Sequence, residues 1–452
     1  MPIDIYGGKC SNNNSSKERK EREYPLKSIF LLLCLLLLVP FPIPAGEQYL
    51  DVTAPGNRPQ KLAIAYPAAL AGSRDTAVER ELADVFSFDL TLSGPFDARF
   101  PQVAPYTEGI TPGSFAMAYW QQAGYDLLLK TGYSFAGGTL TIECHLYEVA
   151  NGAELAAKRF TGSRGELRRM AHLFSDEIMR AMTGTAGPFS GKILLVSART
   201  GNKEIYLMDY DGYNVQRLTG NGSINLSPAF SPSGKEIVYT SYKKGNPDLY
   251  RRELYTGAEA LISRRHGLNI GGSWSPDGKR IALAMSVHGT PQIYVIDKDG
   301  RLLARLTHDN VIDISPSWSP DGSRLVFVSD REGGPQLFVM DADGRNAHRI
   351  TFSGNYNVSP SWSPKGDRIV YSRREHGGFQ VYTINPNGSN DTRLTTEGRN
   401  EHPRWSPDGR YITFSSTRDG REAIYVMRGD GTDQVAVSRS KGADSQPSWM
   451  GW

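Results

Sequence analysis

Trp318-Ser319-Pro320-Asp321-Gly322 recurs along the second half of this 452-residue chain with almost no change of spacing. The same five residues stand at Trp274–Gly278 and Trp405–Gly409. Phe230–Gly234 and Trp362–Gly366 are near-copies, and a worn copy begins at Trp449. The aromatic positions 230, 274, 318, 362, 405 and 449 are separated by 44, 44, 44, 43 and 44 residues. A fixed period of that length marks a repeat architecture in which each unit is one supersecondary element.

Around the motif, each unit holds four strand-like pieces. Piece A ends at the aromatic residue, and piece B follows the turn, as in Arg324–Ser329 and Arg368–Ser372. Piece C carries an aliphatic–aromatic pair such as Ile293-Tyr294 or Leu337-Phe338. Piece D ends in Arg-Leu-Thr or a relative, as at Arg305–Thr307. All four are rich in β-branched and aromatic residues and bounded by turn formers. Ser-Pro-Asp-Gly suits a type I turn, with Pro fixing φ at the second position and Gly at the fourth. Asp209–Gly212, Asp297–Gly300 and Asp341–Gly344 do the same between C and D. Six units of four short antiparallel strands predict an all-β six-bladed β-propeller. Lys192–Ser197 has no A piece before it, and Ser445–Trp449 has no B piece after it. These two are expected to complete one shared blade, which leaves no free sheet edge.

The first half shows no repeat. Strands are expected at Tyr49–Thr53, Leu62–Tyr66, Tyr125–Phe135, Thr139–Val149 and Glu154–Phe160. Helices are expected at Arg74–Leu92, capped by Ser73, at Phe115–Gln122 and at Glu166–Met182. The expected organisation is a signal peptide over 1–46, a small α+β domain over 47–183, a linker over 184–190 and the propeller over 191–452.

Residues 1–27 are polar and net basic, and an apolar run, Ile29–Val39, follows them. That run suits a signal-peptide core and falls short of the roughly 20 residues a bilayer span needs. An uncleaved anchor is the other reading. Leu33 before Cys34 argues against a lipoprotein signal, which wants a small residue there. Cleavage after Ala45 or Gly46 would remove Cys10 and Cys34. Cys144 is then left without a disulfide partner and reads as a small buried hydrophobe. The net charge of +3 falls to +1 without residues 1–46, which hold six basic and four acidic side chains. No electrostatic footprint for nucleic acid or an anionic membrane remains. The 47 Gly and 27 Pro make the chain turn-rich, yet it stays below the roughly 25–30% typical of low-complexity disorder.

Catalytic signatures are missing. There is no Gly-x-Ser-x-Gly, no His-Glu-x-x-His, no phosphate-binding Gly-Lys-Thr/Ser loop and no Gly-x-Gly-x-x-Gly. The eight His residues are scattered and read as solvated loop or strand residues. Asp209, Asp211 and their equivalents lack the acidic twelfth-position ligand of a calcium loop and read as turn formers. No cofactor, metal or catalytic residue is expected.

Binding is expected on one face. Strands alternate in direction, so B–C turns and D–A crossovers share a side of the propeller. Five residues before each aromatic stand Asn225, Asn269, Asp313, Asn357, Asn400 and Asp444, a ring expected at the channel mouth. These side chains would either cap their own crossovers or meet a partner, and the two roles are compatible. Pro228, Pro316, Pro360, Pro403 and Pro447 suit an inner strand lining the channel. The B–C turns vary most between units, as expected of a binding surface on a rigid scaffold.

The chain resembles the TolB family, periplasmic propeller proteins of the Tol–Pal envelope system. The resemblance rests on the signal segment, the α+β domain, Gly184–Phe189 (GTAGPF) and Met208–Leu218 (MDYDGYNVQRL). It implies a non-enzymatic, monomeric periplasmic adaptor that supports outer-membrane integrity and constriction during cell division. Such proteins bind Pal, a peptidoglycan-gripping outer-membrane lipoprotein, at the channel-mouth face. Their amino-terminal segment contacts TolA of the inner membrane. On this chain the Pal-like partner would meet the six Asn and Asp residues of the ring. The TolA-like partner would meet Gln48, Tyr49, Leu50 and Val52 within Glu47–Asn57, where an extended peptide could add to a sheet edge. Leu268 stands where some members have His. The alternative is a propeller hydrolase or lyase with a channel-centred site, which would need acidic or His residues converging there.

Overall fold

Six four-stranded antiparallel sheets make up the second half of the chain in a computed structural model that describes residues 58–101 and 108–450. The expected signal segment, the strand at Tyr49–Thr53, and Gln48, Tyr49, Leu50 and Val52 lie outside the described residues. Five blades are continuous in sequence and begin with A strands at Asn225, Asn269, Asp313, Asn357 and Asn400. The sixth sheet joins Asp444–Met450 to Lys192–Thr200, with Asp444 opposite Ser197 and Trp449 opposite Ile193. We number this composite blade 1, so the blade starting at Asn225 is blade 2 and the one at Asn400 is blade 6.

The repeated motifs have physical roles. In the A–B turn of blade 3, Gly278 N donates to Ser275 O at 2.9 Å and Ser275 N to Arg280 O at 2.9 Å. The Thr of Arg-Leu-Thr extends the ladder where strand D stops. Its hydroxyl accepts the C-strand amide in Ile205 N→Thr219 Oγ1, Ile293 N→Thr307 Oγ1 and Leu337 N→Thr351 Oγ1, all 2.9 Å. The Arg of the motif folds back onto the Thr carbonyl, at 2.8 Å for Arg305. The middle residue, Leu218, Leu306 or Ile350, is buried between blades.

The C–D glycines do more than turn the chain. Gly212, Gly300 and Gly344 have φ of +86°, +94° and +89°. A Cβ at these positions would press on the carbonyl oxygens of Val437, Ile262 and Leu306 in the preceding blade. Only Gly meets both demands.

Ahead of the propeller, a mixed sheet runs in the order β3-β1-β4-β5-β6. Its strands are β1 (Gln60–Ile64), β2 (Ala68–Ala69, paired with β4), β3 (Phe96–Arg99), β4 (Leu127–Ala136), β5 (Thr139–Glu148) and β6 (Glu154–Gly162). Helices α1 (Thr76–Ser93), α2 (Met117–Gln122) and α3 (Leu167–Thr183) accompany it. Asp75, not the expected Ser73, caps α1 by accepting from Ala77 N at 2.9 Å and Val78 N at 3.2 Å. Parallel β3 is absent from the sequence reading because Phe-Asp-Ala-Arg is short and carries no strong alternation. Cys144 on β5 is fully buried, and burial raises its thiol pKa.

One hydrophobic core runs from α1 and α3 into blades 1 and 6, through Phe86, Phe174, Phe189, Tyr210, Tyr411 and Trp449. A buried polar cluster sits beside it. His172 on α3 lies between two carboxylates, with Nδ1 2.8 Å from Asp89 on α1 and Nε2 3.1 Å from Asp211 in the blade 1 C–D turn. Arg168 also donates to Asp211, and Tyr210 to Asp89. Burial opposes the imidazolium, but the two carboxylates win and raise the His172 pKa to about 10. Burial likewise opposes the Asp211 carboxylate, and His172 and Arg168 overcome it, bringing the pKa to about 2. His172 is therefore no solvated residue, and Asp211 is more than a turn former. Both readings are corrected by side chains brought together from 39 positions apart. The segment after α3 is tied down too, since Asp176 accepts from Phe189 N at 2.7 Å and Ser190 N at 3.0 Å.

Gly212→Ala should lower unfolding free energy by roughly 2–4 kcal/mol in urea titration, from backbone strain plus a clash. Gly289→Ala, at φ +108° with open space around it, should cost only about 1 kcal/mol. His172→Gln should destabilise by about 3–5 kcal/mol near neutral pH, as expected for breaking a buried charge pair. Folded His172 titrates near 10 against an ordinary 6.5, so its contribution is complete below 6.5 and is lost as pH rises through 10. The gap in Tm between wild type and His172→Gln should accordingly shrink from pH 7 to pH 10.

Candidate functional site

The innermost strands carry the same irregularity in every blade. In blade 2 the register passes from Leu226–Thr240 to Ala229–Val238, leaving a bulge at Ser227 and Pro228. Blades 3 to 6 and blade 1 repeat it. The bulged residues Ser227, Gly271, Ser315, Ser359, His402 and Gln446 all have left-handed φ, between +50° and +69°. A residue removed from the ladder leaves room for the proline that follows it in five blades, since proline has no amide to donate. Together these strands enclose a channel of about 450 Å³ whose wall includes Arg404 and His402 and, among the described residues, no Asp or Glu. Burial, then the charges of Arg404, Lys203 and Arg399, lowers the His402 pKa to about 4. Burial lowers that of Arg404 to about 10.

The six Asn and Asp residues start the A strands at the crossover end of this channel, and all are completely buried. Their polar atoms are used inside the protein. Asn357 and Asn400 donate to Gln336 Oε1 and Gln380 Oε1 of the preceding blades at 2.7 and 2.8 Å. Asn225 donates to Glu204 Oε2 at 2.9 Å, and Asn269 accepts from Ser263 Oγ at 2.7 Å. Asp313 and Asp444 accept from Arg331 and Arg199 at 3.2 Å. Burial raises the Asp313 carboxyl pKa in spite of Arg331. Asn225, Asn269, Asn357 and Asn400 thus clasp one blade to the next, while Asp313 and Asp444 hold the B–C turns of their own blades. Of the two compatible roles the sequence offers these six residues, capping of the crossovers is the one their burial and hydrogen bonds display.

A second layer supports the clasps. Arg199, Arg331 and Arg418 donate to Ser197, Ser329 and Ser416 two residues earlier, at 2.8, 2.8 and 3.0 Å. Each guanidinium also lies over a C-strand ring, 4.4 Å from Tyr206, 5.0 Å from Phe338 and 4.6 Å from Tyr425. Part of the variable B–C turn is thus anchored to the scaffold.

The surface itself is one residue further out. Ile224, Leu268, Ile312, Tyr356, Arg399 and Ala443 precede the buried six, and their carbonyls accept amides from the B–C turns. Tyr242 N→Ile224 O and Arg374 N→Tyr356 O are both 2.9 Å. Ile224 is 45% exposed, Ile312 42%, and the crossover residue Phe352 73%. The sequence reading passed over this rim. Its signal was an apolar residue in a loop, directly before the Asn or Asp, in four of six units. Among the described residues no cluster of three or more His, Cys, Asp and Glu is placed to hold a metal. None of the described helices is long and apolar enough to cross a membrane.

Comparison with known proteins places this architecture. A family model described as the TolB beta propeller domain matches residues 179–451, and one described as the TolB amino-terminal domain matches 48–155. The chain is 57% identical over 212 residues to the Tol-Pal system protein TolB of Geobacter sulfurreducens, covering 46% of this chain and 49% of that one. It is 43% identical over 220 residues to the protein of that name from Syntrophotalea carbinolica, covering 46% and 49%. In these alignments the chain spans about half the length of the curated relatives it matches. The crystal structure of TolB from Acinetobacter baumannii superposes with a TM-score of 0.77 at 27% identity, covering 87% of this chain and 97% of that one. With the propeller model alone matching more than half of its residues, the chain belongs to the TolB family.

Proposed function

We propose that this protein is a non-enzymatic periplasmic adaptor of the Tol–Pal envelope system. Its crossover face docks a peptidoglycan-associated lipoprotein, and its amino-terminal segment, with Gln48, Tyr49, Leu50 and Val52, engages a TolA-like inner-membrane protein. In that role it supports outer-membrane integrity and constriction during division. Relatives of this chain are Tol-Pal system proteins by name, which supports that system. The observation that carries the face is the exposed apolar rim of Ile224, Ile312 and Phe352 over crossovers held by buried clasps. Apolar side chains on a preorganised backbone bind with little ordering cost.

A pull-down and titration against purified Pal-like lipoprotein tests the proposal. Ile224→Ser, Ile312→Ser and Phe352→Ser combined should weaken binding at least about tenfold, or 1.4 kcal/mol, with Tm nearly unchanged because the sites are exposed. Equal binding would move the interface elsewhere. In the same assay, deleting Glu47–Asn57 should abolish TolA binding and leave lipoprotein binding intact or stronger. Weaker lipoprotein binding after that deletion would contradict separate roles for arm and face.

A further inference from the structure

The channel wall has a charge that no described side chain balances. Arg404 projects from the blade 6 inner strand, and its Nη1 donates to Pro403 O at 2.9 Å and Ser359 O at 3.4 Å. Its Nε and Nη2 donate to no described protein acceptor, and no described carboxylate lies within ion-pair distance of it. The wall around it consists largely of Ser, Pro, Gly and Trp, with His402 as the other titratable group. With His402 neutral at physiological pH, Arg404 is the charged side chain among the described wall residues. A cation drawn out of bulk water is costly until something pairs with it. The free Nε–Nη2 edge of a guanidinium is the edge that takes two oxygens of one carboxylate or phosphate in parallel hydrogen bonds.

We propose that the channel is an oxyanion site in which the Nε–Nη2 edge of Arg404 grips a small phosphate or carboxylate group, with the bulge hydroxyls of Ser315 and Ser359 within the same wall. A volume of about 450 Å³ accommodates such an ion with water around it. Four of the six left-handed bulge residues, Ser227, Gly271, Ser315 and Ser359, are small and leave space within the channel. The site does not depend on the adaptor reading, because it lies inside the propeller and needs no protein partner.

The test uses the full chain and three probes at matched ionic strength: sodium phosphate, sodium acetate and sodium chloride. Thermal unfolding and calorimetric titration are read for wild type, Arg404→Gln and Arg404→Lys. Wild type should gain about 2–4 °C in Tm in phosphate or acetate, relative to chloride, at some ten times Kd. Whichever probe acts identifies the preferred oxyanion. Arg404→Gln should lose that gain and, in chloride, melt no lower than wild type, because it removes an unpaired charge. Arg404→Lys keeps the charge without the two-pronged edge and should bind about tenfold more weakly. Equal shifts in wild type and both variants, or no shift in wild type with either oxyanion, would overturn the site.

Discussion

Each passage from one blade to the next depends on a buried Asn or Asp at the start of the inner strand. At that point the chain leaves an outer strand, crosses the face and turns inward, so several backbone carbonyls and amides meet away from water. Buried polar groups of this kind must be paired, at a cost of roughly 1–3 kcal/mol for each one left unsatisfied. A short side chain with an acceptor, a donor or both fills the gap. Asn357 reaches Gln336 of the preceding blade, Ser353 O and Arg373 Nε at 2.7, 3.0 and 3.0 Å. Asn400 makes the equivalent set with Gln380, Glu397 O and Arg418. With the crossovers so fixed, the residues just outside them form a rim whose geometry is set before any partner arrives.

The other end of the propeller is governed by charge. Asp211 comes from the blade 1 C–D turn and is met there by Arg168 and His172 from α3, while Asp89 on α1 takes the other side of the imidazole. The cluster adjoins the core shared by both helices and blades 1 and 6. Blade 1 is also where the first and last propeller strands pair. Ring closure and attachment of the α+β region thus fall on the same blade, so a change at one is expected to be felt at the other.

The propeller was legible because turn chemistry and strand patterning repeat in phase, and a repeat magnifies each weak local signal six times. Helix α1 was legible from its apolar spacing, though not its cap, since Ser73 and Asp75 both suit that position and only tertiary placement chooses between them. Short parallel β3 and the Asp89–His172–Asp211 cluster were not legible, because neither leaves a local pattern. The site was half visible. Repetition of Asn and Asp marked the crossovers, but one short polar residue type in all six blades signals a shared structural duty, and burial shows what it is. The layer that differs among blades, Ile224, Leu268, Ile312, Tyr356, Arg399 and Ala443, faces outward, and variation hides such a surface from a search for repeats.

The central claim is that the crossover face, with its apolar rim, is where a Pal-like lipoprotein docks. Hydrogen exchange of the chain with and without that lipoprotein measures this directly. Slowed exchange is predicted in the crossovers at 220–225, 264–269, 308–313 and 352–357, with the A–B turns at 275–278 and 319–322 unchanged. Protection confined to the A–B and C–D turns, or none at the crossovers at saturating lipoprotein, would contradict it.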